Sequence, residues 1–473
     1  MCRVLLRITV CVLLATSVSS CSSMSFGDIF SSYTTQMQPV HSAQFKGDFK
    51  LAESLVKPRS SSDGTYGLSL LETGRLQYLD DNWKTSEQTF ALAYQQVQTS
   101  QEQAKIQLSR GVENVGALVS NDSALRYDIP FYEQSMLHTY QALNYLYQRQ
   151  FEGALVEVRR ANIVQEKALL ANQQNIFKAQ QGMSNNGISD KTFNESYPSM
   201  AATIGDVKNG FQNAYTFYLS ALLYEAAGEL NDAYIDYKKA LEIFTNNHFL
   251  QQDVLRLATK LAMTDDLARF EQQFGQYKSN EIKNSGQLVI MIEQGIINPK
   301  EEVAINLPIF TSHNDMRFYS VALPTYRQRK SPRSPLMLTV NDQNYQSQEI
   351  IRLQSLAAKH LEDQLPSIVV RQILRLVAKE EMRQQMSRKG GDVGNILAGL
   401  YNIASEKADT RSWSTLPDNV QIIRLNLAAG KHQLAIQHQG QSKFIDVEIN
   451  PNRISLINVN SIGNYLDHKA INL

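Results

Sequence analysis

Cysteine is almost missing from this chain. Its 473 residues include three, Cys2, Cys11 and Cys21, all near the start. Cleavage before Cys21 would leave one thiol at the new N-terminus, so no intramolecular disulfide could staple the exported protein. Net charge is missing as well: 46 basic residues balance 46 acidic ones, and losing Arg3 and Arg7 with a leader leaves −2. That balance gives no electrostatic case for nucleic acid, which asks for a basic domain or stripe. The eight histidines are scattered, with no HExxH and no close Cys or carboxylate cluster, so nothing points to a metal site. There is no G-x-S-x-G elbow, and "SRKGGDVGN" lacks the spacing of a phosphate-cradling loop. No cofactor and no enzymatic activity is expected. A carboxylate-based, glycan-active hydrolase stays open as the rival, because a catalytic Glu needs only the right pocket.

What remains is an ordinary globular composition, 43% hydrophobic and 19% charged, in a chain long enough for two or more cores. The first twenty residues read as a signal peptide. Arg3 and Arg7 form a positive n-region, and Ile8 to Val18 form an apolar core too short to span a membrane comfortably. Val18-Ser19-Ser20-Cys21 resembles the lipobox of bacterial lipoproteins, which implies cleavage before Cys21 and three acyl chains on that residue. At about 0.8 kcal/mol per buried CH₂ one chain holds only marginally, whereas three make a durable anchor. Ser22, in place of aspartate, points to the inner leaflet of an outer membrane, facing the periplasm. Residues 21–44 are polar and read as a flexible tether.

From residue 45 to 275 the pattern is helical. "FYLSALLYEAAGELNDAYIDYKKALEIF" places small or aromatic residues at Ala221, Tyr224, Gly228, Ala233, Tyr237 and Ala240. That spacing resembles the tetratricopeptide repeat (TPR), in which paired helices approach where side chains are small. Similar offsets recur at Ala142, Tyr145, Ala154, Val158 and Ala161, and at Gly74, Ser86, Phe90 and Ala93. The expectation is a TPR-like α-solenoid, with Gly182 to Met200 as a loop and a last helical pair ending at Gly275. In such arrays the first helix of each pair faces a concave, peptide-accepting surface. The register puts Arg75, Tyr78, Asn144, Tyr147, Tyr215, Tyr218 and Glu225 there as candidate partner-binding residues.

Residues 276–473 change period. Four short strands are predicted between residues 286 and 342, then an inserted helical stretch at about 348–408, then four more strands, the first two joined as a hairpin through Ala-Ala-Gly. The whole is expected to be multidomain α + β: a helical solenoid followed by a small β-sandwich with a helical insertion. Arg371, Arg375 and Lys379 recur at i, i+4 and i+8 and could cradle an anionic group, with Arg411 and Trp413 as neighbours. A second basic cluster is Arg327, Arg329, Lys330 and Arg333 of "YRQRKSPR".

"NDSALRYDIPFYEQSMLHTYQALNYLYQRQFEGALVEVRRAN", "LLETGRLQYL" and "ADTRSWSTLPDNVQIIRLNLAAGKHQL" together resemble a group of bacterial TPR-containing outer-membrane lipoproteins. Members tend to be encoded near a lipoprotein similar to the activators of penicillin-binding proteins. The resemblance implies a lipid-anchored adaptor whose partners are periplasmic or outer-membrane proteins, such an activator-like lipoprotein among them. It transfers no catalytic residue. An accessory role in surface-polymer export is the remaining alternative.

Overall fold

The computed structural model describes residues 31–110, 122, 125–185, 188–278, 282–310, 316–327, 334–378 and 407–473. Cys21, Lys379, Arg329, Lys330, Arg333 and residues 379–406 of the inserted stretch lie outside them.

Helices come as consecutive hairpins: α1 Tyr33–Phe45 with α2 Phe49–Leu55, α3 Tyr66–Leu79 with α4 Trp83–Arg110, and α5 Phe131–Tyr147 with α6 Phe151–Asn185. After the short α7 Asp190–Ser196 and α8 Ala201–Ile204 come α9 Ala214–Ala227 with α10 Leu230–Ile243, and α11 His248–Lys260 with α12 Thr264–Phe274. The small residues explain the close pairing. Ala142, Ala154, Ala221, Ala233 and Ala240 are fully buried, and a Cβ on Gly74 would sit 2.9 Å from the Phe90 ring. Side chains of Asn213 and Asn247 cap α9 and α11, and Gly228 closes α9 at a positive φ of 83°. The N-terminal region is thus a TPR-like helical array.

Two sequence expectations fail here. The tether does not run through residue 44, because α1 begins at Tyr33 and buries Met37, Val40 and Ala43; its apolar positions are spaced for a helix despite Pro39. Gly182 to Met200 is not a plain loop either. It carries the end of α6 and all of α7, with Phe193 and Tyr197 buried and the Tyr197 hydroxyl donating to the Pro324 carbonyl at 2.7 Å.

The C-terminal region is a sandwich. A five-stranded sheet has the order β11-β10-β1-β7-β6, with β1 (Ser285–Gln294) central, parallel to β10 (Ile454–Ile462) and antiparallel to β7 (Asn419–Ala428). β6 is Gln348–Arg352 and β11 is Tyr465–Asn472. The facing sheet, β5-β4-β8-β9, is built from Met337–Val340 (β4), Gln343–Gln346 (β5), Gly430–His438 (β8) and Gln441–Ile449 (β9), and β2 (Glu301–Phe310) pairs with β3 (Met316–Thr325) in a separate ribbon. A long helix, α13 over residues 353–378, follows β6. It runs through Pro366 unbroken. The expected hairpin at Ala-Ala-Gly is absent: β7 and β8 follow each other but join different sheets, the chain crossing over at Gly430.

Alternation along the central strands sends each set of side chains to a different core. Leu288, Ile290 and Ile292 of β1 pack with Ile423, Ile457, Leu338 and Ile436 between the two sheets. Val289 and Met291, with Val420, Ile422 and Leu456, point the other way and share one core with the helices. The large sheet is therefore covered on both faces, which is why β1 reads as an unbroken apolar run.

Candidate functional site

The inner face of the array is where the sequence placed a partner, and the chain's own sheet fills it. Arg75 of α3 is fully buried, and its Nη2 donates to Glu293 Oε2 of β1 at 2.5 Å and to Asn460 Oδ1 of β10 at 3.3 Å. The guanidinium carbon stands 4.3 Å from the Tyr140 ring centroid and 5.1 Å from that of Tyr78. Arg75 Nε and Nη1 find no hydrogen-bond partner among the described residues, so the ring faces serve them instead. From α9, the Tyr215 hydroxyl donates to Glu293 at 3.2 Å, and Asn458 of β10 donates to the Tyr147 hydroxyl of α5 at 2.5 Å. Asn144 is turned to α4, donating to the Ser86 hydroxyl at 2.9 Å.

A second polar knot holds β7 to the later helices. Arg424 donates to Glu225 at 3.0 Å and to the Tyr237 hydroxyl at 2.7 Å, and lies 3.1 Å from Asp253. Arg256 adds a bidentate pair to Glu225 at 2.7 and 2.9 Å. Burial would raise the Glu225 carboxyl, but Arg424 and Arg256 hold it down at about 2. Tyr218 is wholly buried, its ring 5.4 Å from that of Tyr237. Of the seven candidate partner-binding residues, Arg75, Tyr147, Tyr215 and Glu225 meet the chain's own strands, Tyr78 and Tyr218 are buried, and Asn144 turns to α4.

Residues 410–416 form the third contact, and they behave as a peptide laid into a TPR groove. This stretch has no regular secondary structure, yet every one of its residues is buried. Two carboxylates from successive first helices bind its backbone. Glu133 of α5 accepts the Trp413 N–H at 3.0 Å, and Glu72 of α3 accepts the N–H groups of Ser414 at 2.8 Å and Thr415 at 3.0 Å. Glu133 also accepts from the Tyr127 and Tyr132 hydroxyls, both at 2.9 Å. Burial pushes its carboxyl up to about 7 against those hydrogen bonds. From α1, His41 Nε2 meets the Ser414 hydroxyl at 2.9 Å, and burial pushes that imidazole down to about 4. The Trp413 ring is fully buried, 5.8 Å from Phe90 and 5.9 Å from Tyr140.

The described members of the expected anion cradle meet protein groups. Arg375 is buried and donates to Asp122 at 2.6 Å, with Arg371 Nε 3.6 Å from the same carboxylate. Arg411 pairs with Asp409 at 2.7 Å and donates to the Asp122 and Leu125 carbonyls at 3.0 and 2.8 Å. Trp413 is core, not the wall of a binding site. Arg327 of the second basic cluster pairs with Glu301 at 2.9 Å. Among the described residues no group of His, Cys, Asp and Glu is disposed to hold a metal ion.

Sequence reading missed Glu72, Glu133, Glu293, Asp253 and Arg424, which do most of the joining. Their signal is there in part: Glu293 follows the apolar run "LVIMI", and Arg424 sits between Ile422-Ile423 and Leu425 in "NVQIIRLNL". A charge in such a place needs a partner from another element.

No protein-family model matches the chain, and no curated protein matches it by sequence. Among solved structures the chain is similar to the MamA protein, at 12% identity over 53% of this chain and 97% of that one, with a TM-score of 0.27. BtubC from P. vanneervenii is similar at 16% identity over 52% and 81%, TM-score 0.26. A TPR2AB domain of yeast Sti1 in complex with a pHSP90 ligand is similar at 11% identity over 50% and 87%, TM-score 0.19. Each covers about half of this chain, and the paired helices described above stand on their own geometry.

Proposed function

We propose that this protein is a non-enzymatic periplasmic adaptor, held at the outer membrane by acyl chains on Cys21, whose helical array docks a protein of cell-envelope or cell-wall assembly. With the inner face filled, the docking surface is the outer one. The observation that carries this reading is an apolar seam on α6: Val156, Ile163, Leu170 and Phe177 are 45, 49, 80 and 67% exposed. Seven-residue spacing keeps them on one side, drifting only about 20° per repeat. It is the interval at which one helix meets another laid along it, so the partner presents an amphipathic helix.

A photo-crosslinking residue at Leu170, in cells, should give one discrete adduct that disappears when Ile163→Glu is added. Adducts indistinguishable from those at exposed Glu448 of β9 would refute the seam. The anchor is tested separately. Cys21→Ala should release the protein from outer-membrane fractions after a high-salt wash, and retention would refute the anchor. Muropeptides released by the purified protein from peptidoglycan would replace the adaptor reading with the hydrolase one.

A further inference from the structure

Helix α2 belongs to the first hairpin of the array and packs on α1 and α3, with its Phe49 ring 4.8 Å from that of Tyr465 of β11. It buries Phe49 and Ala52, and Val56 just past its end, while its other side turns outward. That outer side consists of Lys50, Leu51, Ser54 and Leu55, with Leu51 47% and Leu55 39% exposed. The two leucines are four apart and adjoin on one face. Lys46 and Lys50 are exposed on the same short stretch. Asp48 and Glu53 lie on the same stretch and keep their charge: Asp48 caps α2 by accepting the Leu51 N–H at 3.0 Å, and Glu53 is turned to α3, where it accepts from the Gln77 side chain at 2.7 Å.

The position of α2 relative to the start of the described chain is what gives this face a use. Leu55, Val56, Lys57 and Arg59 surround the same small cavity as Tyr33 and Gln36 of α1's first turn, and Arg59 donates to Gln36 at 3.0 Å. The end of α2 therefore lies beside the point where the chain arrives from Cys21. Nine residues lie between Cys21 and Ser31, ten steps of chain with a reach of at most about 35 Å when fully extended. An acylated Cys21 would keep α2 at high local concentration over the bilayer.

We infer that the outer face of α2 seats on the phospholipid surface into which the acyl chains insert, Leu51 and Leu55 dipping below the headgroups and Lys46 and Lys50 meeting anionic lipid. This rests on the Cys21 anchor proposed above. A ridge of two leucines flanked by lysines is small for a protein interface and suited to a headgroup boundary. Seated in this way, the array is held close to the membrane and cannot turn freely on its tether.

The test uses the mature acylated protein in vesicles of phosphatidylethanolamine and phosphatidylglycerol at about 7:3, the phosphatidylglycerol supplying the negative surface potential that attracts the two lysines. A dye is attached at Leu51→Cys or, as control, at Ile235→Cys on α10, which is 47% exposed; acylation of Cys21 leaves each introduced thiol as the reactive one. Nitroxide-labelled lipid should quench the dye at 51 at least about threefold more than at 235, and Lys46→Glu with Lys50→Glu should cut that difference by half or more. Equal quenching at both positions in protein that floats with the vesicles would overturn the seating of α2 and leave the anchor standing. Failure to float, with no acyl mass on the N-terminal peptide, would overturn the anchor and this inference together.

Discussion

Replacing Arg75 with methionine tests whether the sheet is truly bound into the array. The change keeps much of the apolar stem over Tyr78 and Tyr140 and removes the charge facing Glu293, which is 4% exposed. Glu293 then keeps only neutral partners such as the Tyr215 hydroxyl. Removing one member of a buried pair costs about 3–5 kcal/mol, because the other is left charged in a poor solvent. At about 3 kcal/mol the ratio of folded to unfolded chain falls by a factor of about 150. Glu293→Gln strands Arg75 in the same way. The double variant leaves no orphan charge, so its cost should fall short of the sum of the singles by about 2 kcal/mol. Urea unfolding followed by far-UV circular dichroism and by tryptophan fluorescence supplies the cycle. Only Trp83 and Trp413 contribute to the emission, and both signals should shift together, since sheet and helices share one core. Single-variant costs below about 0.5 kcal/mol, or strict additivity, would refute the reasoning, for they would mean that Arg75 and Glu293 do not meet.

Two further outcomes follow from the packing. Gly74→Ala gains about 1 kcal/mol in helix propensity but drives a Cβ to 2.9 Å from Phe90, where overpacking costs about 1–3 kcal/mol; melting should fall, and a second change, Phe90→Leu, should restore part of it. A rise in melting temperature for Gly74→Ala alone would contradict the α3–α4 contact. Glu133 titrates near 7 in the folded chain against an ordinary 4.5, so the folded state binds the extra proton between those values and loses stability as pH rises through them, on the order of 3 kcal/mol in all. Glu133→Gln should flatten the stability profile between about pH 5 and 7, and an unchanged slope would show that another group sets it.

The helical half was largely legible, because its repeat is local: Ala221, Gly228 and Ala233 specify a hairpin within about fifteen residues of one another. The strands were legible as elements but not in their pairing. Nothing near Ser285 announces that its neighbours will be Ala428 on one side and the strand from Ile454 on the other. For the same reason the role of the expected inner-face residues was not legible. Arg75, Tyr215 and Glu225 carry the side chains of a binding surface, and what they bind lies more than seventy residues away in the same chain. Trp413 illustrates the limit: "TRSWSTLP" is largely polar, and groups on separate helices, Glu72, Glu133 and His41 among them, hold it in the core.

The placement of β1 also sets an order of events during synthesis. It is the middle strand of its sheet, yet it is made first, and both strands that flank it come from much later sequence. The helical pairs can close one after another as the chain emerges, each on contacts with its neighbour. The sheet cannot, since Gln287 must wait for Ile454, and pairing across such a separation is slow. Until then Tyr215, Tyr218 and their neighbours face water as a sticky inner surface. Every newly made chain passes through that state, so holdase chaperones should matter more to the maturation of this protein than to that of a solenoid standing alone.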